Sequence, residues 1–149
     1  MASLAQGSDR IGSIIDRLSI AEHIAEYAQL WDRKDAVGVA ELFANDATID
    51  WVFGTRPQGT VVKGRAEILA YARKAHAERL EGKQSRHHFT NLVFKALDTA
   101  HAITEHTVFV THQVPEAAPA IVATGLYRIE WTKADGRWLI AQRTLYLDR

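Results

Sequence analysis

A chain of 149 residues, 47% hydrophobic and 24% charged, suits one domain around one core. Its 18 basic and 18 acidic residues cancel, so no global field draws it to nucleic acid or to an anionic membrane surface. The absence of cysteine excludes disulfides, thiol nucleophiles and thiolate-bound zinc.

Residues 1–10 lack a basic segment followed by an apolar run, and read as a flexible lead-in to a single domain at 11–149. No stretch reaches the roughly 18 apolar residues of a membrane span, so a cytoplasmic protein is expected. Residues 11–34 have helical spacing. Ile14, Leu18, Ala21, Ala25 and Ala28 form one apolar stripe, and Ile20, Ile24, Tyr27 and Trp31 form a second beside it. Both are expected to face the core, with Glu22, His23, Glu26, Gln29 and Arg33 on the other half of the surface. Asp35 is a candidate N-cap for a short helix at 36–43.

A strand at 47–53, a Gly/Pro loop and a short strand near 60–63 come next, then a third helix at 65–81 ending at Gly82. Beyond it the period falls from 3.6 to 2. Strands are predicted at 86–97, 101–113, 120–132 and 137–147, with turns at Asp98-Thr99 and Ala134-Asp135-Gly136. Helices first and antiparallel strands after predict an α+β fold. Its curved, cone-shaped antiparallel or mixed sheet wraps the long first helix, carries two further helices and encloses a pocket.

Asp32 continues the stripe Ile14–Ala28 by another four residues, at a helix C-terminus where the macrodipole disfavours an anion. Either it turns inward to a partner, or the helix ends at Trp31 and Asp32 faces water. His87 and His88 must face opposite sides of their strand. One hairpin register groups His87 with Asn91, His106, Val108, Val110 and His112 on a mixed pocket-like face; the other sets it beside Glu105, Thr107, Phe109 and Thr111. Tyr27 is a hydroxyl donor or a plain core residue. Trp31, Trp51 and Phe53 are candidate aromatic walls. Without an HExxH pair or an acidic cluster at helical spacing, no metal is expected. Without a Gly-rich phosphate loop or a Gly-x-Ser-x-Gly elbow, neither nucleotide binding nor a serine nucleophile is indicated.

Several segments together resemble the SnoaL-like branch of the nuclear transport factor 2-like superfamily, over residues 11–147. They are the helix Ile20–Asp32 running into Ala40-Glu41-Leu42-Phe43-Ala44-Asn45-Asp46-Ala47-Thr48, then His87 with Thr90-Asn91, then Asp135-Gly136-Arg137-Trp138 and Arg143. The histidine and aspartate positions resemble those of scytalone dehydratase, γ-hexachlorocyclohexane dehydrochlorinase and bile acid 7α-dehydratase. That resemblance implies a lyase needing no cofactor, which performs a dehydratase-type elimination on a small hydrophobic or polycyclic substrate. It implies His87 as general base, Asp32 as its orienting group and Tyr27 as a pocket tyrosine. His112 and Arg143 are further candidates to polarise a substrate oxygen. An isomerase or polyketide-type cyclase using the same base is the alternative, and a non-catalytic ligand-binding module is another. The family also implies a homo-oligomer, a trimer or a dimer.

Overall fold

The computed structural model describes residues 2–54, 56–57 and 61–148, with backbone alone at 2–9 and 56–57. Helix α1 spans Ala2–Asp32, so its helical backbone covers most of the segment read as a lead-in. Asp35 caps α2 (Ala36–Glu41), its Oδ1 accepting from the Gly38 amide at 2.9 Å. A side chain at Gly38 would collide with Leu30 and Asp35, and glycine lets that cap close. Strand β1 (Phe43–Phe53) begins four residues earlier than its pattern suggested and turns into a small hairpin with β2 (Arg56–Pro57). β3 (Val62–Lys63) leads into α3 (Arg65–Lys74), which ends in a π-helical turn, Ala75–Arg79. The predicted single helix at 65–81 is thus two pieces. β4 (Gln84–Leu97), β5 (His101–Gln113), β6 (Ala120–Ala134) and β7 (Arg137–Leu147) complete the chain.

The strand order is β2-β1-β7-β6-β5-β4, with β3 also on β1. β1 and β7 pair in parallel and all other pairings are antiparallel. The sheet is curved, mixed and open. Ala102, Thr104, His106 and Val108 of β5 are buried with Tyr127, Ile129 and Trp131 of β6 and Trp138 and Ile140 of β7. The apolar members share one core with Ile20, Ile24, Tyr27, Leu30 and Trp31 of α1. Burial of each large side chain stabilises by roughly 1.5–3 kcal/mol. Among the described residues, no helix is long and apolar enough to cross a membrane.

One expectation for α1 is corrected. The stripe through Ile20, Ile24, Tyr27 and Trp31 is buried, whereas Ile14 and Leu18 are 57% and 61% exposed and Ala25 faces solvent. The sheet touches the helix along one arc only, and two apolar stripes compete for it. The aromatic-bearing stripe buries more area per turn and takes that arc. A polar residue also joins α1 to the sheet, since Lys133 Nζ (2.7 Å) and Trp138 Nε1 (2.9 Å) both donate to Asp16 Oδ1. Burial raises the Asp16 pKa, but these two bonds outweigh it and hold the carboxyl below its ordinary value.

Candidate active site

The end of α1 decides where Asp32 points. The Asp35 amide donates to Leu30 O (2.9 Å) and the Lys34 amide to Trp31 O (3.0 Å), with Lys34 left-handed at φ 61°. This is a Schellman stop that keeps Asp32 in the last helical turn. The Lys34 ammonium donates to Leu80 O at 2.7 Å, and Gln84 Nε2 donates to the Asp32 carbonyl at 3.0 Å. Both bonds fix the helix end against the chain that enters β4.

β4 supplies everything the carboxylate holds. His87 Nδ1 lies 2.8 Å from Asp32 Oδ1, the His87 amide donates to Oδ2 at 3.0 Å, and Ser85 Oγ donates to Oδ1 at 3.0 Å. Burial raises the Asp32 pKa, but the His87 side chain, the His87 amide and Ser85 together hold it below its ordinary value. An ionised carboxylate only accepts, so Nδ1 carries a proton, and in the neutral imidazole the lone pair is the one on Nε2. Nε2 has no hydrogen-bond partner among the described residues. Ser85 stands two residues before His87 on the same strand face, so alternation alone made it a candidate, and the sequence reading missed it.

A second cluster sits beside the pair. The Arg143 guanidinium, only 2% exposed, donates from Nη1 to Tyr27 Oη. It lies 5.0, 5.5 and 5.8 Å from the ring centres of Tyr127, Trp51 and Tyr27. Burial opposes its charge, but the tyrosine oxygens around it, Tyr27 first, hold it protonated. Burial also pushes the Tyr27 hydroxyl far above its ordinary pKa, so it stays an O–H donor. The parallel pairing of β1 with β7 creates this cage, because it sets Ile49 against Arg143 and brings Trp51 alongside.

His87, Tyr27, Trp31, Trp51, His112 and Arg143 line one cavity of about 270 Å³, together with Tyr71, Arg79, Val110 and Tyr127. Three residues expected in the pocket lie elsewhere. Phe53, 38% exposed, ends β1 outside the cavity lining. Asn91 sits in a bulge between Thr90 and Val93 at φ 57°, which turns its amide to the outer face, where Nδ2 donates to Thr107 Oγ1 at 3.2 Å. His106 faces inward but fills the core, 4.7 Å from the Phe89 ring and 5.4 Å from that of Tyr127. Neither of its nitrogens is hydrogen-bonded among the described residues, and burial lowers its pKa to about 4. Asn91 and His106 instead border a second crevice between α1 and β4, which His87 also lines. His88 is on the outer face, stacked on Phe109 at 4.2 Å. Tyr71, Arg79 and Tyr127 were missed because only tertiary packing brings α3, its π-helical turn and β6 to one cavity.

The SnoaL-like domain family matches residues 12–144, and the chain belongs to that family. No curated protein matches the sequence significantly. Among solved structures, Rv3472 of Mycobacterium tuberculosis, a protein of unknown function, is 30% identical, with a TM-score of 0.78 over 92% of this chain and 74% of its own. An NTF2-like protein with a cystatin-like fold from Novosphingobium aromaticivorans is 21% identical, with a TM-score of 0.81 over 97% of this chain and 89% of its own. A proposed scytalone dehydratase from the same organism is 18% identical, with a TM-score of 0.79 over 94% and 89%. The last two likenesses show the shared fold.

Proposed function

We propose that the protein is a lyase that eliminates water from a small, largely apolar β-hydroxy carbonyl compound without a cofactor. The observation that carries this reading is the Asp32 carboxylate on His87 Nδ1 at 2.8 Å, with Nε2 unpaired among the described residues on an imidazole that lines an aromatic cavity. Nε2 takes the proton from the carbon α to the carbonyl, and that C–H pair becomes an enolate. Asp32 stabilises the imidazolium that forms. The Tyr27 hydroxyl and the Arg143 guanidinium stabilise the enolate oxygen. As the enolate collapses to the conjugated alkene, the β C–O bond breaks, and the hydroxide leaves with the proton held on Nε2. The imidazole is neutral again and the net loss is one water.

The test is turnover of a panel of β-hydroxy ketones and thioesters by the wild type, His87→Gln and Asp32→Asn. Product mass falls by one water for elimination and is unchanged for an isomerase or cyclase using the same base. Full activity in both variants on a substrate the wild type turns over would sink the assignment. Self-association is part of the same reading, because Ile11, Ile14, Ile15 and Leu18 form an apolar stripe that is more than half exposed on α1. Light scattering should find more than one copy per particle, and a clean monomer would count against it.

A further inference from the structure

No aspartate or glutamate lines the cavity among the described residues, yet two arginines do. Asp32, behind His87, is already engaged by His87 and Ser85. Arg143 forms no salt bridge among the described residues and has an unpartnered Nε. Arg79 also has no carboxylate partner there. The fixed charges of the lining are therefore cationic. Burial first, then the charges of Lys83 and Arg79, push the His112 pKa down against the pull of Asp32.

Arg79 is built into place. The Leu80 amide donates to Ala75 O at 3.2 Å, the i-to-i+5 bond of a π-helical turn. That extra residue rotates the end of the helix and directs Arg79 to the cavity mouth. Its Nη2 donates to Tyr71 Oη at 2.8 Å, and the guanidinium lies 5.4 Å from the centre of the Tyr71 ring. Tyr71 packs in turn on Trp31 and Trp51, with ring centres 6.0 and 5.2 Å away. Nε and Nη1 of Arg79 have no hydrogen-bond partner among the described residues, and Nη2 keeps a second N–H that can pair with either of them in a fork. At this exposed position the brace holds the guanidinium in one orientation, with its fork open to receive an oxyanion in two parallel hydrogen bonds.

We infer that the ligand of this cavity is anionic and that Arg79, braced by Tyr71, binds its carboxylate or phosphate group at the mouth while the uncharged end lies inside against the aromatic walls. The inference deepens the lyase reading by naming its substrate class, and it shares only the cavity with that reading.

Calorimetric titration with hydrocinnamate, hydrocinnamide and phenethyl phosphate tests it. The wild type should bind at least one of the two oxyanions roughly tenfold more tightly than the neutral amide. The tighter of the two identifies carboxylate or phosphate as the group read. Arg79→Gln, at an exposed position, should bring acid and amide to within about twofold while leaving amide affinity unchanged. Tyr71→Phe should lose part of the preference. Binding of neither oxyanion more tightly than the amide by the wild type, a preference that survives Arg79→Gln, or no binding of any probe at millimolar concentration would overturn the inference. Binding and turnover are separate readouts: tight binding of an oxyanion with no turnover of any substrate counts against the chemistry alone, and turnover with no preference for an oxyanion counts against the anion site alone.

Discussion

Asp32→Asn is the most informative single change, because it nearly preserves shape and removes one acceptor. The carboxylate takes three hydrogen bonds, from His87 Nδ1, the His87 amide and Ser85 Oγ. An amide has one acceptor oxygen. If that oxygen occupies the Oδ1 position, its NH2 opposes the His87 amide, donor against donor. If it occupies the Oδ2 position, the NH2 meets Nδ1 and selects the tautomer with its proton on Nε2, which turns the base into a donor. Losing one or two bonds to a charged acceptor costs about 2–4 kcal/mol of stability. Loss of the base costs about 10²–10⁴ in turnover. The pH dependence has a definite sign. The folded pKa of Asp32 lies below its unfolded value of 3.8, so its contribution is complete above that value and fades as the pH falls through the folded pKa. Urea unfolding followed by tryptophan fluorescence should show Asp32→Asn destabilised at neutral pH and less sensitive to acid than the wild type. A variant within about 0.5 kcal/mol of the wild type, with turnover intact, would refute the reasoning.

Four further outcomes follow from the geometry. Burial holds His106 near pH 4 against 6.5 in the unfolded chain, so stability should rise by about 3 kcal/mol across that window and level off above it. His106→Leu should remove that rise in unfolding titrations. Thr104→Val leaves the buried Trp131 indole N–H, now 2.8 Å from Thr104 Oγ1, without a partner, and should cost about 1–3 kcal/mol by denaturant unfolding. Gly125→Ala would place a Cβ 2.3 Å from the Tyr146 carbonyl oxygen, a clash with backbone, and should lower stability by about 2 kcal/mol or more in the same assay. Tyr27→Phe removes the oxygen to which Arg143 donates, and should lower turnover on the order of a hundredfold on any substrate the wild type accepts.

Sequence periodicity located the last three strands closely, because each alternates and is bounded by a turn with its own chemistry. Asp98 shows why. Its carboxylate accepts from the amides of Ala100 and His101, both at 2.8 Å, which widens the predicted two-residue turn and pairs Leu97 with Ala102. His87 and His112 still share the inner face, since His87 pairs with Val110 and Ser85 with His112. Asn91 leaves that face because bulges interrupt β4 at positions that alternation does not reveal. On α1 the spacing identified two stripes but not which would be buried. Asp32 reaches its partners because β4 lies against the helix end, not because it continues the outward stripe of Ile14 and Leu18. The cage around Arg143 depends on a parallel strand pairing between the two ends of the domain, and local pattern does not encode that. Arg79 depends on a π-helical turn that reads in sequence as ordinary helix.

Hydrogen exchange at carbon reports on the His87–Asp32 pair most directly, because it requires only the first proton transfer. The panel of β-hydroxy ketones and thioesters, with members that carry a carboxylate or phosphate group, is incubated in D₂O with wild type and with His87→Gln, and followed by mass spectrometry. A base at His87 predicts deuterium at the α carbon or loss of water with the wild type, and neither with His87→Gln. Exchange or elimination by His87→Gln at the wild-type rate, or none by the wild type with any member of the panel, would contradict it.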